Sequence, residues 1–245
     1  DLPTLPPTNG APSLSGGTPL AAYVDLPTGE DPVTVVPIGA QAPVVALGTA
    51  AGMVKRVTPD APKGAAWEVV ALRDGDRVIG AAVADREDLE LVFVSDDAQL
   101  LRFPARTVRP QGRGAGGMAG IRLAPGRRAV FFGIVDPERE AVVVTSAGSS
   151  GALPGTQGGS LKVTPYAEYP AKGRATGGVR CHRFLRGEDV LILAFAGNTP
   201  IRAAAGNGVP VDLPPADGRR DGSGVPMNVV VDRVVGPPVE HQVAR

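Results

Sequence analysis

Short apolar runs separated by glycine- and proline-rich turns make up most of the chain, and none holds a 3.6-residue period over several turns. Leu20 to Val24 is apolar, and after a turn at Pro27-Thr28-Gly29 a second run extends from Val33 to Ile38. Val44 to Leu47 leads into Gly48-Thr49-Ala50-Ala51-Gly52, a hairpin signal, and Met53 to Val57 alternates as a β-strand does. The final apolar run is Val225 to Val235. The pattern predicts an all-β chain.

The runs repeat. The hairpin V-V-A-L-G-T-A-A-G-M-V-K-R at Val44 returns as L-V-F-V-S-D-D-A-Q-L-L-R from Leu91, as A-V-V-V-T-S-A-G from Ala141 and as L-I-L-A-F-A-G-N-T-P-I-R from Leu191. Aligning Thr49, Ser95, Thr145 and Phe195 gives spacings of 46, 50 and 50 residues, the period of propeller blades. A Leu followed by a charged turn precedes each hairpin, at Leu26, Leu72, Leu123 and Leu185. In the last case the interval shrinks to 10 residues, so the fourth blade reads as short of one strand. The similarity of Asp1-Leu2-Pro3 through Pro7 to Val211-Asp212-Leu213-Pro214-Pro215 predicts an N-terminal edge strand that pairs with Val225 to Val235 and closes a fifth blade.

Glycine loops lie between the repeats: Ser15-Gly16-Gly17, Lys63-Gly64-Ala65, Gly112 to Gly117, Gly173 to Gly178, and Gly218-Arg219-Arg220-Asp221-Gly222. The most basic stretch is Val108 to Leu123, V-R-P-Q-G-R-G-A-G-G-M-A-G-I-R-L, which has no acidic residue. Such a density of glycine excludes a helix and lets the backbone approach a large ligand closely.

Composition narrows the function. Apolar residues make up 43% of the 245, enough for a core, but only 4% are aromatic, so aliphatic side chains must fill it. Cys181 is the only cysteine, which excludes an internal disulfide and suits a reducing cytosol. No apolar run approaches the roughly 20 residues that span a bilayer. Formal net charge is zero, yet charge is segregated: Ala98 to Val135 carries +7, Ser149 to Arg186 carries +5, and acids gather over Asp85 to Asp97.

Catalysis finds little support. Cys181 and His182 are adjacent on a strand and so face opposite sides, and His241 is the only other histidine, too few for a histidine metal cluster. The acid pairs Asp74/Asp76 and Glu188/Asp189 sit in turns where Asp and Gly serve the backbone. No catalytic or metal-binding residue is assigned. Arginines in glycine loops suit phosphate instead, through contacts that position a duplex without reading its bases. The scarcity of aromatic residues disfavours stacking on single strands.

The series G-T-A-A-G-M-V-K-R-V, L-R-D-G-D, L-L-R-F and V-R-P-Q-G-R-G-A-G-G-M-A-G-I-R-L resembles the C-terminal domain of bacterial type IIA topoisomerase A subunits, those of DNA gyrase and topoisomerase IV. The resemblance runs from about Leu20 to Arg202 and is strongest over 44–123. It implies a β-pinwheel, a propeller-like ring whose blades exchange a strand with their neighbours, here about five four-stranded antiparallel blades. It also implies a non-catalytic domain that binds and bends duplex DNA on a positively charged rim and guides the transported segment. The family's gyrase box, Q-R-R-G-G-R-G, is matched in part by Gln111 to Gly117, which lacks two of its arginines. With the neutral total charge, this favours a topoisomerase IV-like domain over a gyrase-like one.

On that reading, 1–19 is an edge strand and linker, 20–235 the DNA-binding pinwheel and 236–245 a fraying tail. The expected phosphate contacts are Arg106, Arg109, Arg113, Lys172, Arg174, Arg180 and Arg183, with Lys55, Arg56, Lys63 and Arg102 secondary. The chain reads as a piece of a longer enzyme, with no cofactor of its own. By resemblance the holoenzyme uses ATP and Mg2+. The partners are then duplex DNA, the enzyme's cleavage core and its ATPase B subunit, with no membrane. The expected location is the bacterial cytoplasm, at the nucleoid. The alternative is a propeller-like protein-interaction module that uses the acids of 85–97 and the basic loops as docking surfaces.

Overall fold

The computed structural model describes residues 20–36, 38, 42–58, 66–153 and 159–239. Fifteen strands follow in chain order: β1 (Val45–Thr49), β2 (Met53–Val57), β3 (Val78–Val83), β4 (Glu90–Ser95), β5 (Gln99–Pro104), β6 (Met118–Ala119), β7 (Ala129–Val135), β8 (Ala141–Gly148), β9 (Ser160–Pro165), β10 (Val179–Arg180), β11 (Val190–Asn198), β12 (Arg202–Ala204), β13 (Pro210–Val211), β14 (Val225–Pro226) and β15 (Arg233–Val235). They form four antiparallel sheets with the orders β3-β1-β2-β6, β10-β5-β4-β7, β11-β8-β9-β14 and β13-β12-β15. Each sheet is a blade built on a hairpin. In the first three, the strand that follows the next charged turn along the chain (β3, β7 and β11) pairs with the hairpin's first strand, while a two-residue strand from the next repeat pairs with its second.

That last pairing is strand exchange. β6 follows the second hairpin but joins the first blade, Met118 lying opposite Val54. β10 likewise returns to β5, with Val179 opposite Leu100, and β14 to β9, with Val225 opposite Leu161. Two of these junctions require glycine. Gly117 (φ +85°) and Gly178 (φ +75°) enter the exchanged strands very close to the receiving blade. A Cβ at Gly117 would lie 2.7 Å from the Val54 carbonyl oxygen, and one at Gly178 would come closer still to that of Leu100.

The cores lie between blades. Leu91 and Phe93 of β4 pack with Ala46 and Val54 of the first blade, whereas Val92 and Val94 pack with Val143 and Leu191 of the third. Both faces of β4 are therefore buried, which is why its sequence reads as continuous apolar residues without alternation. Emptying one such position, as in Phe93→Ala, removes about 3–5 kcal/mol by the usual cavity cost. A third core joins Val144, Leu161 and Val163 to Ala203 and Val231 of the fourth blade. Beyond β15, Val239 packs against the core between the first and second blades.

Several expectations change. The described residues form four blades, three of four strands and one of three, not about five. Val190–Asn198 is not the first strand of a fourth hairpin: all along its length it pairs with β8 and completes the third blade. The fourth hairpin is β12–β13, and the short Leu185 interval arises because that turn leads into β11, as Leu72 leads into β3 and Leu123 into β7. Val225 to Val235 is not one strand but two short ones in different blades. Leu20–Ala22 forms a 3-10 turn, and 31–36 is irregular and largely exposed. The N-terminal strand expected at Asp1 to Pro7 lies outside the described residues.

Candidate nucleic-acid interface

The exchanged strands are reached by three arms, 105–117, 166–178 and 212–224, which cross from the end of one blade onto the second hairpin strand of the blade before it. Each is pinned on arrival: the Gln111 amide donates to the Arg56 carbonyl (2.8 Å), that of Lys172 to Arg102 (3.0 Å) and that of Asp217 to Val163 (2.8 Å). Counting back from Met118, Val179 and Val225, the arms read G-R-G-A-G-G, G-R-A-T-G-G and R-R-D-G-S-G, so Arg113, Arg174 and Arg220 share one position. Counting forward, Arg122 and Arg183 share another. Successive arms are also tied together there, since the Arg122 amide donates to the Thr176 carbonyl and that of Arg183 to Gly222, each at 3.0 Å.

A row of arginines thus steps from blade to blade. Arg106, Arg109, Arg180 and Arg183 are exposed, as is Lys172, whose ammonium donates to the Gly178 carbonyl at 3.1 Å. Arg113 and Arg174 are half-buried, and Arg174 donates to the Ala119 carbonyl at 2.6 Å. Arg122, Arg127 and Arg128 are exposed and Arg220 half-buried; the sequence reading omits all four, although the place of Arg220 five residues ahead of Val225, like Arg113 ahead of Met118, carries the signal for it. Arg219 is 83% exposed and pairs at 3.8 Å with Asp217. A cleft of about 480 Å³ runs between Gln99, Arg122, Leu123 and Gly177, and one of about 380 Å³ between Gln99, Arg180, Arg220 and Asp221. Both are open to solvent.

Three of the secondary candidates lie elsewhere. Lys55 and Arg56 are buried, because the neighbouring arm covers the outer side of β2. Arg56 pairs with Glu87 at 2.8 Å and donates to the carbonyls of Ala84, Ala105 and Val108, fastening the start of the first arm. Arg102 pairs with Glu90 at 2.8 Å and lies over the Tyr166 ring at 4.5 Å, while the Tyr166 hydroxyl donates to Glu90; this fastens the second arm. These cations hold protein to protein. Lys63 lies outside the described residues.

A polar knot sits behind the second exchanged strand. His182 lies between the Thr145 hydroxyl (2.9 Å from Nδ1) and the Ser160 hydroxyl (3.2 Å from Nε2), and burial beside the Lys162 ammonium pushes its pKa down to about 4. Cys181 points the other way, to the Ala98 carbonyl at 3.3 Å, and burial pushes its thiol up to about 12. The pair cannot act as nucleophile and base. Among the described residues there is no cluster of three His, Cys, Asp or Glu able to hold a metal ion, and no helix is long and apolar enough to cross a membrane.

Comparison with known proteins matches the arms and hairpins. The family model of the DNA gyrase C-terminal domain, a beta-propeller, covers residues 89–133 and 155–192. The A subunit of DNA gyrase from Klebsiella oxytoca is 32% identical over 168 residues, which are 66% of this chain and 18% of that protein. Its counterpart from Mycolicibacterium smegmatis (strain ATCC 700084 / mc(2)155) is 30% identical over 159 residues, 63% of this chain and 18% of its own length. The chain therefore spans under a fifth of these relatives. In fold, it is similar to the crystal structure of the C-terminal domain of DNA topoisomerase IV, with a TM-score of 0.72 at 19% identity over 89% of this chain and 70% of that one. The DNA gyrase A C-terminal domain gives a TM-score of 0.65 at 17% identity, covering 89% of this chain and 74% of that one.

Proposed function

We propose that this chain, a member of the family formed by the C-terminal domains of gyrase and topoisomerase IV A subunits, binds the backbone of duplex DNA along its arginine arms and bends the duplex over successive blades. The observation that carries the reading is the recurrence of one arginine, Arg113, Arg174 and Arg220, at the same place on three consecutive arms. A guanidinium in a glycine-rich turn offers a fork of donors to phosphate oxygens, and a regular row of them follows a polymer without reading its bases. Arg106, Arg109, Arg180 and Arg183 extend the row, and Arg122 joins it from the preceding blade.

Within the family the reading is topoisomerase IV-like. The formal net charge of zero and the partial motif at Gln111 to Gly117 support a guide for the transported segment over a tight wrapping device. The DNA-cleaving core, the ATPase partner, and the ATP and Mg2+ they use belong to the proposed holoenzyme, with this domain supplying no chemistry.

The test is a fluorescence titration with a duplex of roughly 40 base pairs across salt concentrations. Neutralising about five phosphates gives a slope of log K against log[salt] near −4 to −5. Salt-independent affinity, or no binding at low salt, overturns the proposal in favour of a protein-interaction module.

A further inference from the structure

We infer that Lys55 and Lys162 are positioning residues for DNA binding, each ammonium holding one arm in the shape that leaves its arginine free for phosphate. The inference rests on the DNA-binding reading above. The two lysines occupy one register: Lys55 follows Val54, which faces Met118, and Lys162 follows Leu161, which faces Val225. Both are buried, at 0% and 3% exposure. The Lys55 ammonium donates to the carbonyls of Val69 (2.8 Å), Arg113 (2.7 Å) and Ala115 (2.7 Å). That of Lys162 donates to the carbonyls of Arg219 (3.2 Å), Arg220 and Gly222 (3.2 Å).

An ammonium has three N–H donors and no acceptor, and both lysines spend all three on carbonyls. In both blades those carbonyls include the shared arginine and the residue two further on, so each arm folds around a cation. Among the described residues, neither the Arg113 nor the Arg220 guanidinium has a hydrogen bond or ion pair to protein.

The second blade shows what the lysine adds. Its residue in this register is Leu101, wholly buried, and strand exchange proceeds there all the same. Folding of a blade therefore does not need a buried cation, which is costly to desolvate. Without it, the second arm is held by its own rim cations: Arg174 is tied to the Ala119 carbonyl and Lys172 to that of Gly178. In the first and third blades, the internal ammonium takes over this role and the rim arginine stays unengaged.

The experiment uses the 245-residue chain, its Lys162→Met, Arg220→Ala and double variants, and Leu101→Met as a control for core substitution. Lys162→Met is expected to weaken duplex binding about five-fold and to flatten the salt slope by about 1, with no change for Leu101→Met. Amide hydrogen exchange over 219–222 speeds up while β8 keeps its protection. Adding Arg220→Ala to Lys162→Met then costs little more, because both act through the same contact. Unchanged affinity in Lys162→Met, or losses that multiply in full, overturns the inference. A wild-type chain that fails to bind DNA overturns the underlying reading instead.

If Lys162→Met does not fold, a shift from pH 7 to 9 serves on the wild-type chain. Burial lowers the Lys162 pKa to about 8, while of the groups facing it the His182 pKa lies at about 4, the Cys181 thiol's at about 12 and that of the buried Tyr169 hydroxyl is raised; the exposed Asp217 and Asp221 carboxylates face it as well. Affinity falls with pH in the wild-type chain and falls less steeply in Arg220→Ala, where only the Lys55-held arm can respond; equal curves refute the role.

Discussion

Around their shared arginine, the first and third arms are held from inside and the second from outside. Lys55 and Lys162 reach up through the sheet to the arm's carbonyls, whereas Leu101 fills the same place in the second blade and leaves the arm to Arg174, Lys172 and Thr176. The same backbone path is thus reached by two electrostatic routes, and a cation's place in a repeat does not by itself give its task. On the second arm Arg174 and Lys172 already give a donor to a protein carbonyl, whereas no protein partner engages the Arg113 and Arg220 guanidinium groups among the described residues.

The largest effect should come from what the arms share. Gly178→Ala forces a left-handed residue and a clash with the Leu100 carbonyl, and is expected to cost about 3 kcal/mol or more. Gly117→Ala meets the Val54 carbonyl at 2.7 Å and should cost somewhat less. Urea midpoints of the two variants check the order, and wild-type-like values in both would show that the junctions yield more easily than their geometry implies.

Acid should separate the junctions next. His182 backs the second exchanged strand, while the corresponding residue behind the first is Ile121, which cannot titrate. A histidine whose folded pKa of about 4 lies below its unfolded 6.5 lets the unfolded chain take up the proton first as pH falls. Stability is therefore whole above about 6.5 and declines toward pH 4, by on the order of 3 kcal/mol. The urea midpoint at pH 4.5 relative to 7 reads this, and His182→Gln should flatten the difference.

Smaller differences fall on the arms themselves. Arg220→Ala and Arg113→Ala should each lower duplex affinity about three- to ten-fold and reduce the salt slope by roughly 0.9, with Arg174→Ala lower in effect because its guanidinium is already engaged. Parallel salt titrations rank the three; Arg174 leading would reverse the comparison. Smallest is Thr176→Val, which removes the 2.9 Å bond to the Gly173 carbonyl. It should cost about 0.5–1 kcal/mol and loosen amide exchange in the second arm alone.

Much of this architecture is legible in the sequence, and the misses have physical causes. The hairpins at Val44 and Leu91 stand out because their turns carry Gly or Asp between apolar runs, and β1, β2, β4 and β5 lie there. The exchanged strands are two residues long and held by a glycine junction and one pairing, too short for any periodicity to register. β11 reads as a hairpin strand because a strand buried on both faces offers only an apolar run, and such runs look alike wherever they pair. Lys55 and Arg56 read as rim cations since charge at the end of a hairpin ordinarily faces solvent. Only the arm that folds back across β2 reverses that, and this contact spans some 60 residues. The family resemblance leads to the blade plan and the arginine loops, but it assigns inner and outer cations alike to DNA.

Strand exchange also sets how the blades answer force. In a plain stack of repeats each unit meets its neighbours only across a surface, and a terminal unit can peel away by itself. Here β6, β10 and β14 stitch each of the first three blades to chain supplied by the next repeat, so pulling on one arm loads two hydrophobic cores together. An arm pulled away from its receiving blade must therefore strip a strand from one sheet while still anchored to the next.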